Sequence, residues 1–574
     1  MCGIFGTIAN NYKHNGETAK KVCELLSHRG PDDQGVIRFP QGMLLNARLS
    51  IIDLSKGGHQ PMRSQDGKIF MVFNGEIYNY RDLKEELKGG YKFRTATDTE
   101  VIIAAYHKWG ENCLNKLRGM FAFALWDERK QILFCATDRF SIKQLYYYHD
   151  ENTFIFSSEI KPLAVSGVKF LPNEQAIYDF FTFGLQDHDE NTFFKNIFQL
   201  RPGHYLIFKD GKLKIKQYWD IETDRIEVKK ENEKDILEQV ENKLKEVMKY
   251  HLIADVETAL SLSSGLDSNL MRAMVVSLMP NSKTVKCFNF SFKDTVYDEG
   301  RYVLSLKDKR TEFFITPVKS DDFFRQYSKL INIMEEPLSG LGTYGYWLNC
   351  QTVHNKGIKV LLDGQGGDEM FGGYKYYQEK EFATMKASDG TNIECDYLSD
   401  GFAKKFENRK IKPAKKFKSP FRNAVYNDLM FFKIPKLLRF QDKAAMAWSV
   451  ESRVPYLDHT LCDLMFSVPP EILLKKGIKK YILRNIAKNY LDKTLINKPK
   501  LYVSTPQREW VRKDLRKEII EMMNNSSVEK EGYVDAEKLR KEYDNYLGQK
   551  ELGNSFFVWK FFSLELWYRN FIKL

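Results

Sequence analysis

A cysteine stands directly behind the initiating methionine, at the start of the sequence Met-Cys-Gly-Ile-Phe-Gly. Methionine aminopeptidase removes Met1 when the next side chain is small, so we expect Cys2 to become the first residue of the mature chain. Its α-amine, with a pKa near ~7.7–8.0, then lies beside a thiol with a pKa near ~8.5. One residue thus holds a nucleophile and its base without a histidine partner. The alternative is a chance cysteine at the start of an apolar strand.

Four downstream segments carry the groups that such a nucleophile needs when it attacks a side-chain amide. An oxyanion needs hydrogen-bond donors, and the amide of Asn74 with the N–H of Gly75 would supply two. Arg48 suits a substrate α-carboxylate through a bidentate fork, and Asp98 suits an α-ammonium. Taken one at a time, these residues have ordinary interpretations, since Asn-Gly is a common hairpin turn. The four segments are residues 27–35, 47–53, 73–79 and 97–100.

Together with Cys2, these segments resemble the glutaminase domain of class II glutamine amidotransferases, whose catalytic residue is a processed N-terminal cysteine. The resemblance runs from residue 2 to about residue 200 and includes residues 117–124 and 157–161. It implies an αββα sandwich in which Cys2 attacks glutamine, releases ammonia and leaves a thioester that water hydrolyses. The glutamine site that it implies consists of Arg48, Leu49, Ser50, Ile51, Ile52, Asn74, Gly75, Glu76 and Asp98.

One loop, residues 138–147, departs from the pattern of that family. The family usually has Gly and Pro at the positions of Ser141 and Gln144. Because both turn-forming residues are absent, we expect this loop, near the interface between domains, to be shaped differently.

Length and composition limit the class of protein. At 574 residues the chain exceeds a single core, so two or more domains are expected. No run of 18 apolar residues predicts a membrane span, and the N-terminus lacks the layout of a signal peptide. The cysteines are scattered, without metal-ligand spacing, and are typical of free thiols in a reducing compartment. We therefore expect a cytoplasmic protein without a membrane partner.

The net charge of +12 is concentrated in residues 404–422. A nucleic-acid-binding arm is one hypothesis for this segment. A solvated, mobile surface segment is favoured, because the stretch lacks the glycine–aromatic pattern of RNA-binding modules and matches no helix-turn-helix. A third hypothesis places it near an anionic substrate. No nucleic-acid partner is expected.

Periodicity divides the chain into two parts of an α/β protein. The first part alternates short β-prone runs with helical periodicity, and residues 205–235 hold the boundary before a long helix at 235–251. Beyond it, strands alternate with helices, which predicts a parallel sheet, and residues 420–574 are mostly helical. We expect a glutaminase domain at 2–205 and a second domain at 235–574. The predicted strands are 71–73, 119–126, 131–137, 153–157, 258–262, 285–292 and 357–362, and the other helices are 18–26, 80–87, 99–109 and 268–278.

The second domain opens with Leu-Ser-Leu-Ser-Ser-Gly-Leu-Asp-Ser at residues 260–268. A strand, a Ser/Gly loop and a helix N-terminus form a cradle for anions through backbone N–H groups and the helix dipole. No Gly-Lys-Ser/Thr follows, so this is not a Walker A loop. A strand that ends in a capped helix is the alternative for this segment alone.

This loop resembles the pyrophosphate loop of ATP pyrophosphatases. Three further segments agree with that resemblance: residues 361–374, 450–458 and 480–484. A glutaminase ahead of this set is the arrangement of glutamine-hydrolysing asparagine synthetases, and the resemblance spans nearly the whole chain. It implies that ATP adenylates a carboxylate, that Asp267 and Asp368 hold Mg2+, and that Lys480 stabilises charge as ammonia attacks. The implied ATP site consists of Leu262, Ser263, Ser264, Gly265, Asp267, Ser268, Phe290, Asp363 and Gly364.

Two substitutions distinguish the second motif set from the family pattern. Ser264 replaces a glycine, which is tolerable if its φ is negative. Gln365 replaces the first Glu of Gly-Glu-Gly-x-Asp-Glu, at the acceptor site that it shares with Asp368. Glutamine keeps the size of glutamate but loses its charge and general-base capacity. We expect L-aspartate, L-glutamine and ATP as substrates, with a sugar uronate of surface-polysaccharide synthesis as the alternative acceptor. A homodimer is a further expectation.

Overall fold

The computed structural model describes residues 2–9, 12, 16–222, 232–293, 295–306, 308–321, 323–338, 340–378, 396–498, 505–549 and 553–573. Residues 223–231, within the predicted boundary region, lie outside the described residues.

Two six-stranded antiparallel sheets form the N-terminal half in the part that the structure describes. Their orders are β10-β8-β9-β1-β3-β2 and β12-β11-β7-β6-β5-β4. The strands are β1 (Gly3–Ala9), β2 (Asp33–Phe39), β3 (Gly42–Arg48), β4 (Met62–Arg63), β5 (Ile69–Ile77), β6 (Gly119–Asp127), β7 (Ile132–Thr137), β8 (Tyr146–His149), β9 (Thr153–Ser157), β10 (Phe198–Gln199), β11 (His204–Lys209) and β12 (Lys212–Gln217).

Alternating side chains place the two sheets face to face. Ile4 and Leu44 of the first sheet share a core with Val72 of the second, whereas Phe5 and Leu45 face the opposite side. This is the period of two that strands impose. The outer faces are covered by α1 on the first sheet and by α2 and α3 on the second, so the αββα prediction is confirmed. The helices of this half are α1 (Gly16–Leu26), α2 (Tyr80–Leu87), α3 (Thr99–Trp109), α4 (Lys161–Val165) and α5 (Glu174–Phe183).

A five-stranded parallel sheet of order β15-β14-β13-β16-β17 forms the centre of the C-terminal half, as predicted. Neighbouring residues Ala259 and Leu260 enter different cores, so both faces of the sheet are covered. The strands are β13 (Thr258–Ser261), β14 (Val285–Ser291), β15 (Thr311–Pro317), β16 (Val360–Leu362) and β17 (Glu451–Arg453).

Helices make up most of the remaining chain. They are α6 (Glu233–His251), α7 (Leu266–Leu278), α8 (Gly300–Ser305), α9 (Phe323–Met334), α10 (Gly342–Asn355), α11 (Gly367–Met370), α12 (Asp400–Lys405), α13 (Pro420–Asn427), α14 (Ile434–Met446), α15 (His459–Ser467), α16 (Pro470–Leu473), α17 (Tyr481–Ala487), α18 (Lys493–Asn497), α19 (Gln507–Arg512), α20 (Arg516–Asn524), α21 (Ser527–Lys530), α22 (Ala536–Gly548) and α23 (Phe556–Phe571). Two begin two residues earlier than predicted: α6 at Glu233, where the Asn232 side chain caps the N-terminus, and α7 at Leu266.

The two halves pack against each other over apolar and charged surfaces. The ring of Phe193 lies 5.6 Å from that of Trp567 on α23. Arg439 of α14 donates to both carboxylate oxygens of Asp187 at 2.9 Å, and Arg118 donates to Asp458 at 2.8 Å. All four charged side chains are buried, so these pairs fix how the halves meet.

The basic residues 404–422 lie against the N-terminal half. Lys405 pairs with Glu174, Arg409 with Asp179 and Lys416 with Asp220. Acidic partners hold the segment at these three points and reduce the charge that it presents to an anionic partner, while Lys404, Lys410, Lys412, Lys415 and Lys418 are exposed to solvent. Among the helices that the structure describes, none has the length and apolar character needed to cross a membrane.

Candidate active sites

Cys2 lies between the two N-terminal sheets. It is buried, with 6% of its surface exposed, and its main-chain nitrogen donates to Oδ1 of Asn74 at 3.0 Å. The other atom of that amide, Asn74 Nδ2, is buried and has no hydrogen-bond partner among the described residues. An unsatisfied buried donor needs an explanation, and a developing oxyanion at Cys2 is a fitting acceptor.

Gly75 sets the backbone beside that donor. Its φ is 150°, and a Cβ there would lie 2.1 Å from the carbonyl oxygen of Met120. No side chain fits between the two strands at this point, so glycine is required. The predicted Asn74-Gly75 pair therefore lies within β5 and not in a hairpin turn.

The surroundings of Cys2 determine how its proton leaves. Burial raises the pKa of the Cys2 thiol, while hydrogen bonds from the N–H of Leu49 and the side chain of Asn46 oppose this rise. The resting group is therefore a thiol, and a base would have to take its proton for the sulfur to act as a nucleophile.

Asn46 is a site residue that the sequence prediction missed. Its Nδ2 donates to Oε1 of Gln60 at 3.2 Å and to the carbonyl of Phe73 at 3.3 Å. The signal available in the sequence was a single amide within the otherwise apolar Met43–Ala47 part of β3.

Arg48 holds the loop that follows β3. Its guanidinium donates to the carbonyls of Ile52 (3.2 Å), Asp53 (2.6 Å) and Ser55 (3.2 Å). These bonds use three of its five N–H donors, and one on Nε and one on Nη1 remain. The same loop contains the predicted residues Leu49, Ser50 and Ile51, and the N–H of Ser50 donates to Asp32 at 2.7 Å.

Two buried carboxyl groups, Glu76 and Asp98, lie near the end of β5. The N–H of Ile77 donates to Asp98 Oδ2 at 2.8 Å, and Thr97 Oγ1 donates to Oδ1 at 3.2 Å. Burial raises the pKa of Asp98 to about 6, and burial together with Glu451 and Asp98 raises the pKa of Glu76 well above its usual range. Neighbouring carboxyl groups in an apolar site favour a cationic ligand.

Arg29 connects Cys2 to the C-terminal half, which the sequence prediction did not anticipate. Its Nε donates to the carbonyl of Cys2 at 3.2 Å, and its terminal nitrogens donate to Glu159 (3.2 Å) and Asp442 (2.8 Å). Lys143 donates to the same Asp442 at 2.9 Å. The sequence prediction included Arg29 only as one residue of the segment 27–35. Its partners Glu159 and Asp442 lie far away in sequence, so the contact could not be predicted from that segment.

The loop with the two family departures, residues 138–147, reaches the interface as predicted. Ser141 takes the left-handed conformation, with φ of 53°, that a glycine would adopt without strain. The amide of Gln144 donates to the carbonyls of Ser141 (3.1 Å) and Ile142 (3.4 Å). These bonds hold the turn in the absence of proline.

The second site begins with the loop between β13 and α7. Ser263 Oγ accepts from the N–H of Gly265 at 3.1 Å and lies 3.0 Å from Ser268 Oγ. Asn269 donates to the carbonyl of Gly265 at 2.8 Å. Ser264 donates to Glu299 at 2.7 Å and does not adopt a positive φ, so it satisfies the condition for replacing a glycine.

Three residues from different motifs meet beside this loop. Lys480 Nζ bonds to Asp267 Oδ2 and lies 2.8 Å from Asp368 Oδ1. At Gly373, a Cβ would lie 2.0 Å from Asp368 Oδ1 and 2.5 Å from Lys480 Cε. Glycine at that position is what allows the lysine and the carboxylate to meet.

The predicted Mg2+ ligands form a pair of carboxylates around one ammonium. Burial opposes the charged form of Lys480, but Asp267 and Asp368 outweigh it and raise the pKa of this lysine. Among the described residues, no group of three or more His, Cys, Asp or Glu side chains is placed to hold a metal. Two hard oxygen ligands still fit Mg2+ when phosphate oxygens complete its coordination.

The other predicted nucleotide residues lie at the carboxyl edge of the parallel sheet, where ligands bind in such folds. The N–H of Leu262 donates to the carbonyl of Phe288, and that of Asp363 donates to the carbonyl of Arg453, both at 2.8 Å. Burial raises the pKa of Asp363 to about 6. Phe290 is the next-to-last residue of β14, and Gly364 is the second residue of the loop after β16.

Gln365 lies in that loop, half-buried, beside Gly366 with its φ of 88°. Its amide makes no hydrogen bond to any of the residues that the structure describes. The side chain at the position of the family's glutamate is therefore available to a ligand.

The two sites agree with the families that match this chain. Residues 1–219 match the glutamine amidotransferase domain family, and residues 239–569 match the asparagine synthase family. Amidase chyE of Penicillium rubens is 30% identical over 93% of both chains. Asparagine synthetase [glutamine-hydrolyzing] 1 of Bacillus subtilis is 27% identical over 99% of this chain and 96% of the relative.

A third relative is closer in sequence over a shorter region. The putative asparagine synthetase [glutamine-hydrolyzing] 2 of Methanocaldococcus jannaschii is 35% identical over 65% of this chain and 76% of that protein. The first two relatives match in both halves of the chain, in the same order. The chain thus belongs to the asparagine synthase family and is a ligase that hydrolyses glutamine.

Proposed function

We propose that this chain hydrolyses glutamine at Cys2 and uses the ammonia to amidate a carboxylate that ATP has activated, with L-aspartate as the acceptor. The products are L-asparagine, L-glutamate, AMP and pyrophosphate. The observation that carries the proposal is the meeting of Lys480 with Asp267 and Asp368, at 2.8 Å from the latter. We further propose that residues 2–205 and 235–574 are the two domains that carry the half-reactions.

In the glutaminase half, Cys2 is the nucleophile. Removal of Met1 turns the nitrogen that contacts Asn74 into an amine, which takes the thiol proton as sulfur attacks the amide carbon. Asn74 Nδ2, which lacks a hydrogen-bond partner in the described structure, and the N–H of Gly75 stabilise the oxyanion. The α-ammonium of Cys2 then returns its proton to the amide nitrogen, which leaves as ammonia as the C–N bond breaks and a thioester remains. Water hydrolyses this thioester, which frees glutamate and restores the thiol.

Charged groups around this nucleophile position the substrate. The two remaining donors of Arg48 bind the α-carboxylate, and Glu76 with Asp98 bind the α-ammonium. Leu49, Ser50, Ile51 and Ile52 form the wall that Arg48 holds through its bonds to the loop carbonyls.

Glutamine binding should weaken as the pH falls through about 6, because the pKa of Asp98 is about 6 and a protonated carboxyl group does not attract an ammonium. We expect the KM for glutamine to rise about tenfold per pH unit below that point. Thr97→Val removes the donor at 3.2 Å from Asp98 and should move this rise to higher pH. A KM that stays constant from about pH 5 to pH 7 would contradict this assignment.

In the synthetase half, the Ser263–Ser268 loop cradles phosphate at the N-terminus of α7, and Leu262, Phe290, Asp363 and Gly364 hold the nucleoside. Asp267 and Asp368 would hold Mg2+, which when bound screens the charge of the leaving pyrophosphate. Lys480, charged because of its two carboxylates, stabilises negative charge as ammonia attacks the acyl-adenylate.

Gln365 is the residue that bears on the acceptor. If the acceptor is aspartate, the pocket must tolerate the neutral amide of Gln365 where the family has a carboxylate. Glutamine has the same size and reach as the glutamate that it replaces. A sugar uronate is the second candidate, because an acceptor other than aspartate would account for a changed residue here.

Pyrophosphate release with aspartate, ammonia and ATP decides between the two acceptors. If aspartate is the acceptor, the wild type forms asparagine, and Gln365→Glu retains or improves this activity. Gln365→Met keeps the length without the amide and is the control for simple packing. No asparagine from the wild type or from Gln365→Glu would overturn aspartate, and pyrophosphate release with a uronate would then identify the alternative.

A further inference from the structure

One fully buried arginine of the C-terminal half approaches the glutamine pocket. Arg453, on β17, has none of its surface exposed, and its Nη2 lies 3.8 Å from Oε2 of Glu76 on β5. Neither atom has a hydrogen-bond partner among the described residues. Two buried, opposite charges at this distance are weakly screened, so the charge of one strongly affects the other.

The other contacts of Arg453 fix its position. Its Nε bonds to Glu451, and its Nη1 donates to the carbonyls of His251 (2.7 Å) and Ile253 (2.8 Å) at the end of α6. Its carbonyl accepts from the N–H of Asp363 at 2.8 Å. The parallel sheet and α6 thus hold the guanidinium at a set point beside Glu76.

We propose that Arg453 is a positioning residue of the glutamine pocket, supplied by the synthetase half, whose charge lies 3.8 Å from Glu76 and favours ionisation of that carboxyl group when the α-ammonium of glutamine binds. The inference rests on the proposed function of Glu76. It means that the N-terminal half alone has an incomplete pocket.

The charges around Glu76 explain why this arginine is needed. Burial, Glu451 and Asp98 all favour the protonated form of Glu76, and Arg453 opposes them. With Arg453 present, the pKa of Glu76 is still well above its usual range, so loss of the arginine would make ionisation of this carboxyl group harder still. A neutral Glu76 would leave the substrate ammonium without one of its partners.

Arg439 provides a matched control for a purely structural role. It is equally buried and pairs with Asp187 at 2.9 Å and with Glu336 at 3.1 Å across the same interface. Neither of these partners belongs to the glutamine or nucleotide site. If Arg453 only stabilised the interface, Arg453→Met and Arg439→Met would change the KM for glutamine by similar amounts.

The test compares glutamine KM and kcat, measured by glutamate release, with ammonia-driven pyrophosphate release in the full chain. We expect Arg453→Met to raise the KM about tenfold or more, with a smaller change in kcat and in the ammonia-driven reaction. Arg453→Lys should restore part of the loss, and Arg439→Met should leave the KM unchanged. A wild-type KM in Arg453→Met, or an equal rise in Arg439→Met, would overturn the inference.

Glu451→Gln keeps the inference testable if Arg453→Met does not fold. It removes a carboxylate that repels Glu76 and that competes with Glu76 for the guanidinium of Arg453. The KM for glutamine should therefore fall. An unchanged or raised KM would count against the inference. A wild-type chain that hydrolyses no glutamine would overturn the proposed function itself. Glutamine hydrolysis that is indifferent to Arg453 would overturn only this inference.

Discussion

Cys2→Ala is expected to abolish glutamine-dependent product formation and to leave ammonia-driven synthesis intact. The variant loses the only atom that forms the thioester, and loss of a nucleophile typically costs about 10³-fold or more in rate. The synthetase residues Lys480, Asp267 and Asp368 form a separate cluster on loops of the parallel sheet. Glutamate release and pyrophosphate release, measured in parallel, separate the two activities.

Cys23→Ala is the matched control, since Cys23 is a half-buried free thiol on α1. It should hydrolyse glutamine as the wild type does. Glutaminase activity that persists in Cys2→Ala, or a mass spectrum of active enzyme that still contains Met1, would remove Cys2 from its assigned role.

Asp267→Asn and Asp368→Asn should each stop pyrophosphate release while glutamine hydrolysis continues. A neutral amide binds Mg2+ far less well than a carboxylate, and each change also weakens the charge balance around Lys480. Several kcal/mol of transition-state stabilisation depend on this screening, so the rate should fall by about 10²-fold or more. AMP formation measured with saturating ATP and ammonia checks the result.

The control for these two variants is Asp308→Asn. Asp308 pairs with Arg272 in the middle of α7, away from the phosphate loop at the start of that helix. It should release pyrophosphate normally. AMP formation at the wild-type rate in Asp267→Asn or Asp368→Asn would argue against the ATP-pyrophosphatase assignment.

Much of the fold was predictable because the periodicity is local. The apolar run around Val72 and the helical pattern of Thr99–Trp109 depend only on neighbouring residues. The structure has a helix with the predicted bounds, and its strand Ile69–Ile77 extends the predicted 71–73 at both ends. Helix starts were less accurate, since the cap of α6 at Asn232 lies in a charged stretch without apolar periodicity.

Residues of the two candidate active sites could be predicted only where they belong to a recognisable sequence motif. Lys480 and Asp368 were assigned from motifs, and the structure brings them within 2.8 Å. Asn46 was not assigned because a single amide in an apolar strand is not a motif. Arg29 and Arg453 were not assigned because they have partners in the other half of the chain: Arg29 meets Asp442 across more than 400 positions. Such pairs are set by how the halves pack, and no local pattern encodes them.

The central claim is that one chain transfers the amide nitrogen of glutamine to a carboxylate that ATP has adenylated. Glutamine labelled with ¹⁵N in its side-chain amide, supplied with ATP and aspartate, tests it directly. We predict ¹⁵N-labelled asparagine, with glutamate, AMP and pyrophosphate formed in equal amounts, and no labelled product from Cys2→Ala. Unlabelled product from the wild type, or ADP and phosphate in place of AMP and pyrophosphate, would contradict the account.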